Sequence, residues 1–471
     1  MTWTPLRGTL AMYDVDAVAA FDRENVADIK ARQNRINEDG RAAGLKITDV
    51  RTWRVLMPWR GTKRWDGSAE GFSFAEFETD QGLVGVAEGL SSEADALRSR
   101  VLGKNPFEPE IRGLMGLAYW DLAGKVAGKP LFRYLRDVFE LDSPVVTKIP
   151  IAAYTWYRFP DVNGEHEVTF DTYPQHVKSL MEDETFRIIK LSMCDFEPHR
   201  YVELVHNIRD EAGFDVDIRV DPHASWSESE ALRFMQGVED CRIEWIEEPV
   251  GGRFENIFRA GHRLRLMSSI PISSHAWLPP LRRDAAPRPY GTYVSGRYGD
   301  ETLDQPLDLD VMRRHVAADV TAPDAYAGPL ALKRYYDTAR FMGMELGMHS
   351  AYELGPGTAI RLHVAAFAFP YTIPYHIVHG NGTMPMSLHG LDAHYNQWVG
   401  DIIKGGKMPY EDGCLRVPEG PGLGVELDQD LLDEYRWTEE MQALHTRHIE
   451  AIRANHLDRL GWRKDRLGWL R

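Results

Sequence analysis

Cysteine is scarce, with three in 471 residues: Cys194, Cys241 and Cys414. Three scattered thiols cannot build a disulfide scaffold. They fit a reducing compartment, so a cytoplasmic location is expected. No apolar run approaches the roughly 20 residues that a membrane helix needs, and residues 1–24 lack a basic segment followed by an apolar one, so neither a membrane span nor a secretory leader is expected. Positive charge is also in deficit. Fifty-five Lys and Arg face 71 Asp and Glu, for a formal net charge of -16, which argues against a nucleic-acid-binding surface. A small anionic substrate stays open, because a local cation or a metal overrides the global field. Low-complexity segments and short repeats are missing. With 43% hydrophobic and 27% charged residues, what remains is a globular chain long enough for two or three domains, or for a barrel with a cap.

Residues 1–45 are polar, mixed in charge and helical around 25–37. They read as an arm or subunit-contact segment. Residues 46–90 read as antiparallel strands: one at 46–57, a loop over 58–71, a second at 72–79, and a third at 83–88 after the Asp80-Gln81-Gly82 turn. Helical periodicity covers 94–135 and is punctuated by Gly128 and Pro130. From residue 146, short apolar runs alternate with amphipathic helical ones. The runs are 149–154, 188–192, 217–221, 243–247, 270–274, 320–323, 344–349 and 373–378. Alternation of this kind means a parallel sheet in an α/β fold, and eight units suggest a closed (β/α)8-type barrel. The strand-end residues Lys190, Asp221, Glu247 and His275 lie 31, 26 and 28 residues apart, each interval one strand-plus-helix unit. Asp324 follows His275 by 49 residues. The excess reads as an insertion over about 278–306, rich in Pro, Gly, Arg and Tyr, of the kind that often forms a lid. Residues 381–430 read as loops and short strands, and 431–471 as a charged, helical C-terminal tail.

Polar residues gather where these strands end: Lys190, Ser192, Asp221, His223, Glu247, Glu248, His275, Asp324, His349, His376 and His379. In a barrel, the loops at that end build the active site. Asp221 and Glu247 end neighbouring strands, and two carboxylates there repel unless they share a proton or a cation. A hard divalent metal such as Mg²⁺ is one solution; two solvated loop acids is the other. Asp324 and His349 end two successive strands. A carboxylate beside an imidazole suits a general base, or else a structural hydrogen-bonded pair.

Several motifs match one family. They are Gly82-Leu-Val-Gly-Val-Ala-Glu88, Leu117-Ala-Tyr-Trp-Asp-Leu-Ala-Gly-Lys-Val-Ala-Gly-Lys-Pro130, Phe186-Arg-Ile-Ile-Lys-Leu-Ser192, Val220-Asp-Pro-His223, Trp245-Ile-Glu-Glu-Pro249, Ala322-Pro-Asp324, Gly347-Met-His349 and Pro421-Gly-Leu-Gly-Val-Glu426. On these, the chain resembles the enolase superfamily, in its mandelate racemase-type branch, from about residue 46 to 430. The resemblance implies a modified (β/α)7β barrel at 146–380 and an α+β capping domain at 46–145, to which 381–430 returns. It also implies a shared chemical step: a metal chelates the substrate carboxylate, a base removes the α-proton, and the enediolate is stabilised electrostatically. By position, Asp221 and Glu247 are the implied metal ligands, His349 the base with Asp324 as its partner, and Lys190 lies against the carboxylate. Mg²⁺ is the implied cofactor, with Mn²⁺ as the alternative.

Departures from the family pattern narrow the reaction. Ser192 stands where racemases of the family carry a second lysine, which disfavours two-base racemisation. His223, in Asp221-x-His223, resembles the general acid of galactonate- and mannonate-type dehydratases. At the third metal position stands Pro271-Ile-Ser-Ser-His275-Ala276. His275 is the nearest candidate ligand and tilts the site toward Mn²⁺ or Fe²⁺; ligation by Ser274 or water, a damaged metal site, and a substrate contact by His275 are alternatives. Near the eighth strand end, His376 and His379 replace the usual carboxylate, as substrate-binding or packing residues. In the loop at 58–66, Arg60, Lys63 and Arg64 beside two tryptophans suit a polyhydroxylated anion. The expectation is a metal-dependent dehydratase of an aldonate or aldarate, giving a 2-keto-3-deoxy acid. The alternatives are an acid-sugar epimerase and a non-catalytic sugar-acid-binding relative. The only partners expected are this small molecule and further copies of the chain in a homo-oligomer.

Overall fold

The computed structural model describes residues 15–63, 67–90, 94–142, 145–192, 198–250, 254–274, 303, 320–321, 328–342, 344–349, 352–368 and 390–456. Two sheets organise them. β1 (Ile47–Lys63), β2 (Gly67–Thr79) and β3 (Val84–Glu88) form an antiparallel meander, and β5 (Arg158–Phe159) pairs with the far end of β1. The second sheet is parallel. It runs β11 (Glu345–Leu346), β10 (Val320–Thr321), β9 (Ile272–Ser274), β8 (Ile243–Glu247), β7 (Asp217–Asp221), β6 (Ile188–Ser192), β4 (Lys148–Thr155) and β12 (Leu391–Ala393). The Asp392 N–H donates to the Met348 carbonyl at 2.9 Å, joining the two ends of this order into a ring. Arg361 clamps the same seam, donating from Nη2 to the carbonyls of His349, at 3.0 Å, and of Asp392. β13 (Cys414–Arg416) lies antiparallel to the start of β4.

The parallel strands form because both their faces are covered. Ile188, Ile189, Lys190, Leu191 and Ser192 are all buried, as the strands of an α/β barrel must be. The helix Pro198–Ala212 covers the outside with Tyr201, Leu204, Val205 and Ile208, all fully buried and spaced by three and four. The next helix, Glu228–Gly237, starts at a reciprocal cap, in which Ser227 and Glu230 satisfy the first backbone donors.

The structure corrects three expectations. Residues 58–71 are largely not a loop: β1 runs on to Lys63 and β2 starts at Gly67, with a register shift between Pro58 and Lys63. A proline inside a ladder is tolerated at such an irregularity. Second, the strand expected at 373–378 lies outside the described residues, and Leu391–Ala393 pairs in parallel with β4 in the barrel sheet. Part of the segment assigned to the cap therefore belongs to the barrel. Third, the described part of the expected arm at 1–45 packs back on the chain. Its helix Val15–Ala42 buries Ile29 and Ile36. Asp22 accepts from Arg334 Nε (2.8 Å) and Nη2 (2.6 Å) on the barrel helix Pro329–Phe341. The expected insertion at 278–306 lies outside the described residues except for Leu303, which is buried. The tail expected at 431–471 carries the helices Gln429–Glu434 and Glu439–His456.

Three sequence motifs far apart in the chain meet at one junction. The buried Asp121 carboxylate accepts from the Val86 N–H (2.9 Å), the Leu423 N–H (2.8 Å) and Lys125 Nζ (2.7 Å). It thereby ties β3, the helix Leu117–Val126 and the 421–426 turn together. Gly422 takes φ +74° with its Cα so close that a Cβ on Gly124 would lie 2.7 Å from it. A side chain at 422 is excluded twice, by the left-handed backbone and by the Asp121 oxygens. Gly422→Ala should therefore destabilise the protein by roughly 2–5 kcal/mol, the sum of backbone strain and overpacking. Urea unfolding measures it, and a loss below about 1 kcal/mol would mean that this junction yields easily.

Candidate active site at the barrel mouth

Alternate residues of a strand face the same way, so Lys190 and Ser192 share the inner face of β6, Arg219 and Asp221 that of β7, and Trp245 and Glu247 that of β8. The ladder sets Lys190 beside Arg219 and Ser192 beside Asp221. From the far side of β4, β12 contributes Asp392. The buried Lys190 ammonium donates to both Glu247 oxygens at 2.8 Å, to Asp392 Oδ2 at 2.8 Å and to the Tyr154 hydroxyl at 2.9 Å, and it lies 3.4 Å from Asp221 Oδ2. The second Asp392 oxygen accepts from Arg219 Nη1 at 2.6 Å. Arg219 in turn reaches Glu244 through Nε at 2.6 Å and Nη2 at 3.1 Å, and its guanidinium stacks 3.8 Å over Trp245.

Burial alone would discharge these groups, and their mutual fields reverse that. Burial works against the Lys190 charge, but Asp392 and Glu247 raise its affinity for the proton well above the usual lysine range. For Asp392, burial favours the neutral acid, and Lys190 with Arg219 still holds it below the usual carboxylate range. In this connected group four carboxylates, Asp221, Glu244, Glu247 and Asp392, face two cations, Lys190 and Arg219. Negative charge is in surplus.

Two imidazoles flank the group. His349, buried at the end of the strand containing β11, places Nε2 3.2 Å from the Tyr154 hydroxyl and 3.5 Å from Glu247 Oε1. Ligand atoms of Asp221, Glu247 and His349 all lie within 4.8 Å of one another. His223 follows β7 in a turn with φ +48°, fixed by its N–H on Asp221 Oδ1 at 2.9 Å. That turn folds its ring back over the strand end, with Nε2 3.5 Å from Asp221 Oδ2 and 3.4 Å from Ser192 Oγ. Three strands lie between β7 and β11 in either direction round the ring of eight, so the two histidines stand on opposite walls.

Above this floor the cap supplies a cation. Lys63, at the tip of β1, places Nζ 2.9 Å from the Tyr352 hydroxyl and 4.5 Å over the Trp156 ring. Next to it, the buried His394 stacks on Tyr154 at 3.8 Å and lies tilted against Tyr352 at 4.3 Å. Burial and the Lys63 charge hold the His394 imidazole well below the usual histidine range, so it stays neutral.

The structure thus gathers Lys190, Ser192, Asp221, His223, Glu247 and His349 at one mouth. It puts Arg60 elsewhere: Nη1 is 3.0 Å from Glu184, and its carbonyl receives Arg158. Lys63, by contrast, lies against the rings over the mouth. His275, Asp324, His376 and His379 lie outside the described residues. Sequence reasoning missed Asp392, Arg219, Tyr154 and His394. Arg219 was within reach, since it sits two residues before Asp221 on the same strand face.

A family model described as "Enolase C-terminal domain-like" matches residues 172–275 and 298–431, just over half of the chain. The chain belongs to the enolase superfamily, in its mandelate racemase/muconate lactonizing branch. Its curated relatives carry out different reactions. A hydrophobic dipeptide epimerase of Enterococcus faecalis is 25% identical over 38% of this chain, and the match spans only 54% of the epimerase. A D-xylonate dehydratase of Haloferax volcanii is 23% identical over 85% of this chain and 91% of its own length. A solved enolase of Pseudomonas fluorescens, with bound magnesium, potassium and tartrate, has a TM-score of 0.64 at 19% identity and covers 87% of this chain and 97% of its own. Among the described residues no helix is long and apolar enough to cross a membrane.

Removing the ammonium would leave its carboxylates facing one another. Lys190→Met should cost roughly 3–5 kcal/mol in the metal-free protein, as breaking a buried ion pair does. Chemical denaturation in a chelating buffer measures this, and near-wild-type stability would mean that these carboxylates find another counter-charge.

Proposed function

We propose that the chain is a divalent-metal-dependent dehydratase of an acid sugar. The observation that carries the reading is the opposition of His349 and His223 across the carboxylate group. Elimination of water needs a base for the α-proton and an acid for the departing β-hydroxyl, and two imidazoles on facing walls suit those two tasks.

The residues present fit a hard cation. Asp221 and Glu247 offer anionic oxygens at the strand ends, and the group as a whole carries surplus negative charge. Ser273, at the register of Glu247, adds a buried hydroxyl with no hydrogen-bond partner among the described residues. The third position thus falls to the end of β9, where Ser273 and His275 are the candidates. We take the metal to be Mg²⁺, the ion bound in the Pseudomonas fluorescens enolase. When bound, it neutralises the substrate carboxylate and the charge that develops on it.

The protein's own groups do the rest. The Lys190 ammonium, fixed by Asp392 and Glu247, faces the substrate carboxylate and stabilises negative charge there. His349 Nε2, 3.2 Å from the Tyr154 hydroxyl, accepts the α-proton. His223 Nε2, 3.5 Å from Asp221 Oδ2, gives a proton to the β-hydroxyl, which leaves as water. The resulting enol becomes the 2-keto-3-deoxy acid. Lys63 and the aromatic rings around it close the mouth from the cap side and bring a positive charge to an anionic sugar.

Opposed imidazoles also suit epimerisation, with His223 returning a proton to the other face of the same carbon. Product analysis separates the two readings. Aldonic and aldaric acids of four to six carbons, with Mg²⁺ in deuterated water, are followed by proton NMR. Dehydration gives a 2-keto-3-deoxy product. His349→Ala should lose turnover by about 10²–10⁴-fold, and His223→Asn should lose elimination while still exchanging the α-proton for deuterium. Exchange with a diastereomeric acid as product would select epimerisation, and silence with every acid would leave a binding protein.

A further inference from the structure

The Tyr154 hydroxyl stands between the two groups that face the reacting end of an acid substrate. Tyr154 lies on β4 and is buried. Lys190 Nζ is 2.9 Å from its hydroxyl and His349 Nε2 is 3.2 Å from it. An ammonium only donates, so the hydroxyl oxygen accepts from Lys190. The phenol proton then needs an acceptor of its own. Burial keeps that proton in place, holding the phenol well above the usual tyrosine range. Among the described residues, the acceptor within hydrogen-bond reach is His349 Nε2, and a buried hydroxyl that lacks an acceptor is costly.

The direction of that bond fixes the state of the base. In the neutral ring, Nε2 carries the lone pair and Nδ1 the proton. The other tautomer would point an Nε2 proton at Glu247 Oε1, across 3.5 Å, to an oxygen that already accepts from Lys190. It would also leave the phenol proton without an acceptor. An imidazole nitrogen has a single lone pair, in the ring plane. With the hydroxyl on it, Nε2 cannot take an α-proton until the hydroxyl turns away. The phenol itself is held. His394 stacks on its ring at 3.8 Å, and Asn396 Nδ2 and Gln397 Nε2 donate to the Tyr154 carbonyl. What remains free to turn is the O–H bond.

We propose that Tyr154 is a further catalytic residue, whose hydroxyl covers the lone pair of His349 until the acid binds and then donates to the oxygen that gains negative charge. The proposal rests on the reading of His349 as the base for the α-proton. A carboxylate carbon and its α-carbon are bonded neighbours. An acid with its carboxylate at Lys190 and its α-proton at His349 Nε2 therefore lies along the Tyr154 hydroxyl. Its carboxylate oxygen offers the phenol proton a new acceptor, which frees Nε2. The α-carbon–hydrogen bond then breaks, its proton bonds to Nε2, and its electron pair moves into the enediolate. Tyr154 keeps its own proton throughout. Its hydrogen bond strengthens as charge builds on the oxygen, so it lowers the barrier more than it tightens binding.

Nitrogen-15 NMR of the full chain, in mildly alkaline buffer where the ring is neutral, reads the tautomer without any turnover. His349 should show a protonated Nδ1 and an unprotonated Nε2. Tyr154→Phe, which keeps the stacked ring, should move the Nε2 resonance downfield. A protonated Nε2 in the wild type, or an Nε2 resonance that stays put in the variant, overturns the proposal. With an acid that is turned over, Tyr154→Phe should lower kcat and α-deuterium exchange by about 10²–10³-fold, as loss of an oxyanion donor does. KM should change by less than about threefold. A rise in KM at unchanged kcat overturns the proposal, since the hydroxyl would then only bind the acid. Silence with every acid overturns the dehydratase reading and the catalytic step with it, whereas the nitrogen resonances report on the Tyr154–His349 bond alone.

Discussion

The Lys190 ammonium sits where no water can solvate it, so its compensation has to come from the protein. It comes from three strands: Glu247 of β8, Asp392 of β12 and, slightly farther away, Asp221 of β7. That requirement draws the walls of the barrel toward one point. It also places Asp392 between two cations, with Arg219 on its other oxygen. An interior built this way is costly to desolvate. What it gains is a set of charges held in place before any substrate arrives, which is what electrostatic catalysis needs.

The cap is tied to this floor by buried polar groups rather than by apolar contact alone. Glu88, at the end of β3, accepts the Leu354 and Gly357 N–H groups at 2.8 Å, at the start of the barrel helix Gly355–Ala368. An acidic side chain is well placed at a helix N-terminus. That helix also carries Arg361, the clamp on the His349 and Asp392 carbonyls. The cap hairpin, the seam of the barrel and the candidate base are thus joined through a few residues. Lys63 adds a second link from the cap, into the aromatic rings over the mouth.

Much of this was legible in the sequence, for reasons that can be named. β6, β7 and β8 stand where their short runs predicted, because each is mostly buried and ends in a polar residue at the mouth. Lys190, Asp221 and Glu247 were therefore readable as a convergent group. Asp392 was not. Its strand has three residues, too few for any periodicity, and it follows a long stretch without regular signals. The hairpin at 58–71 was hidden by Pro58, Gly61, Gly67 and Gly71, which read as loop punctuation. In the fold these residues accommodate a register shift between two long strands. Arg60 and Lys63 read alike as cations for an anionic sugar, but in the fold Arg60 pairs with Glu184 while Lys63 lies against the rings over the mouth. The helix at 15–42 read as an arm or subunit-contact segment because its contacts, such as Asp22 with Arg334, lie some 300 residues away in the chain.

The central claim is that the carboxylates at the mouth carry more negative charge than Lys190 and Arg219 cancel, and that Asp221 and Glu247 hold a hard cation there. Calorimetric titration of the metal-free protein with Mg²⁺ tests it most directly, since it needs no knowledge of the substrate. The account predicts one Mg²⁺ bound per chain, lost in Asp221→Asn and in Glu247→Gln. Binding that persists unchanged in both carboxylate variants, or no binding at millimolar Mg²⁺, would contradict it.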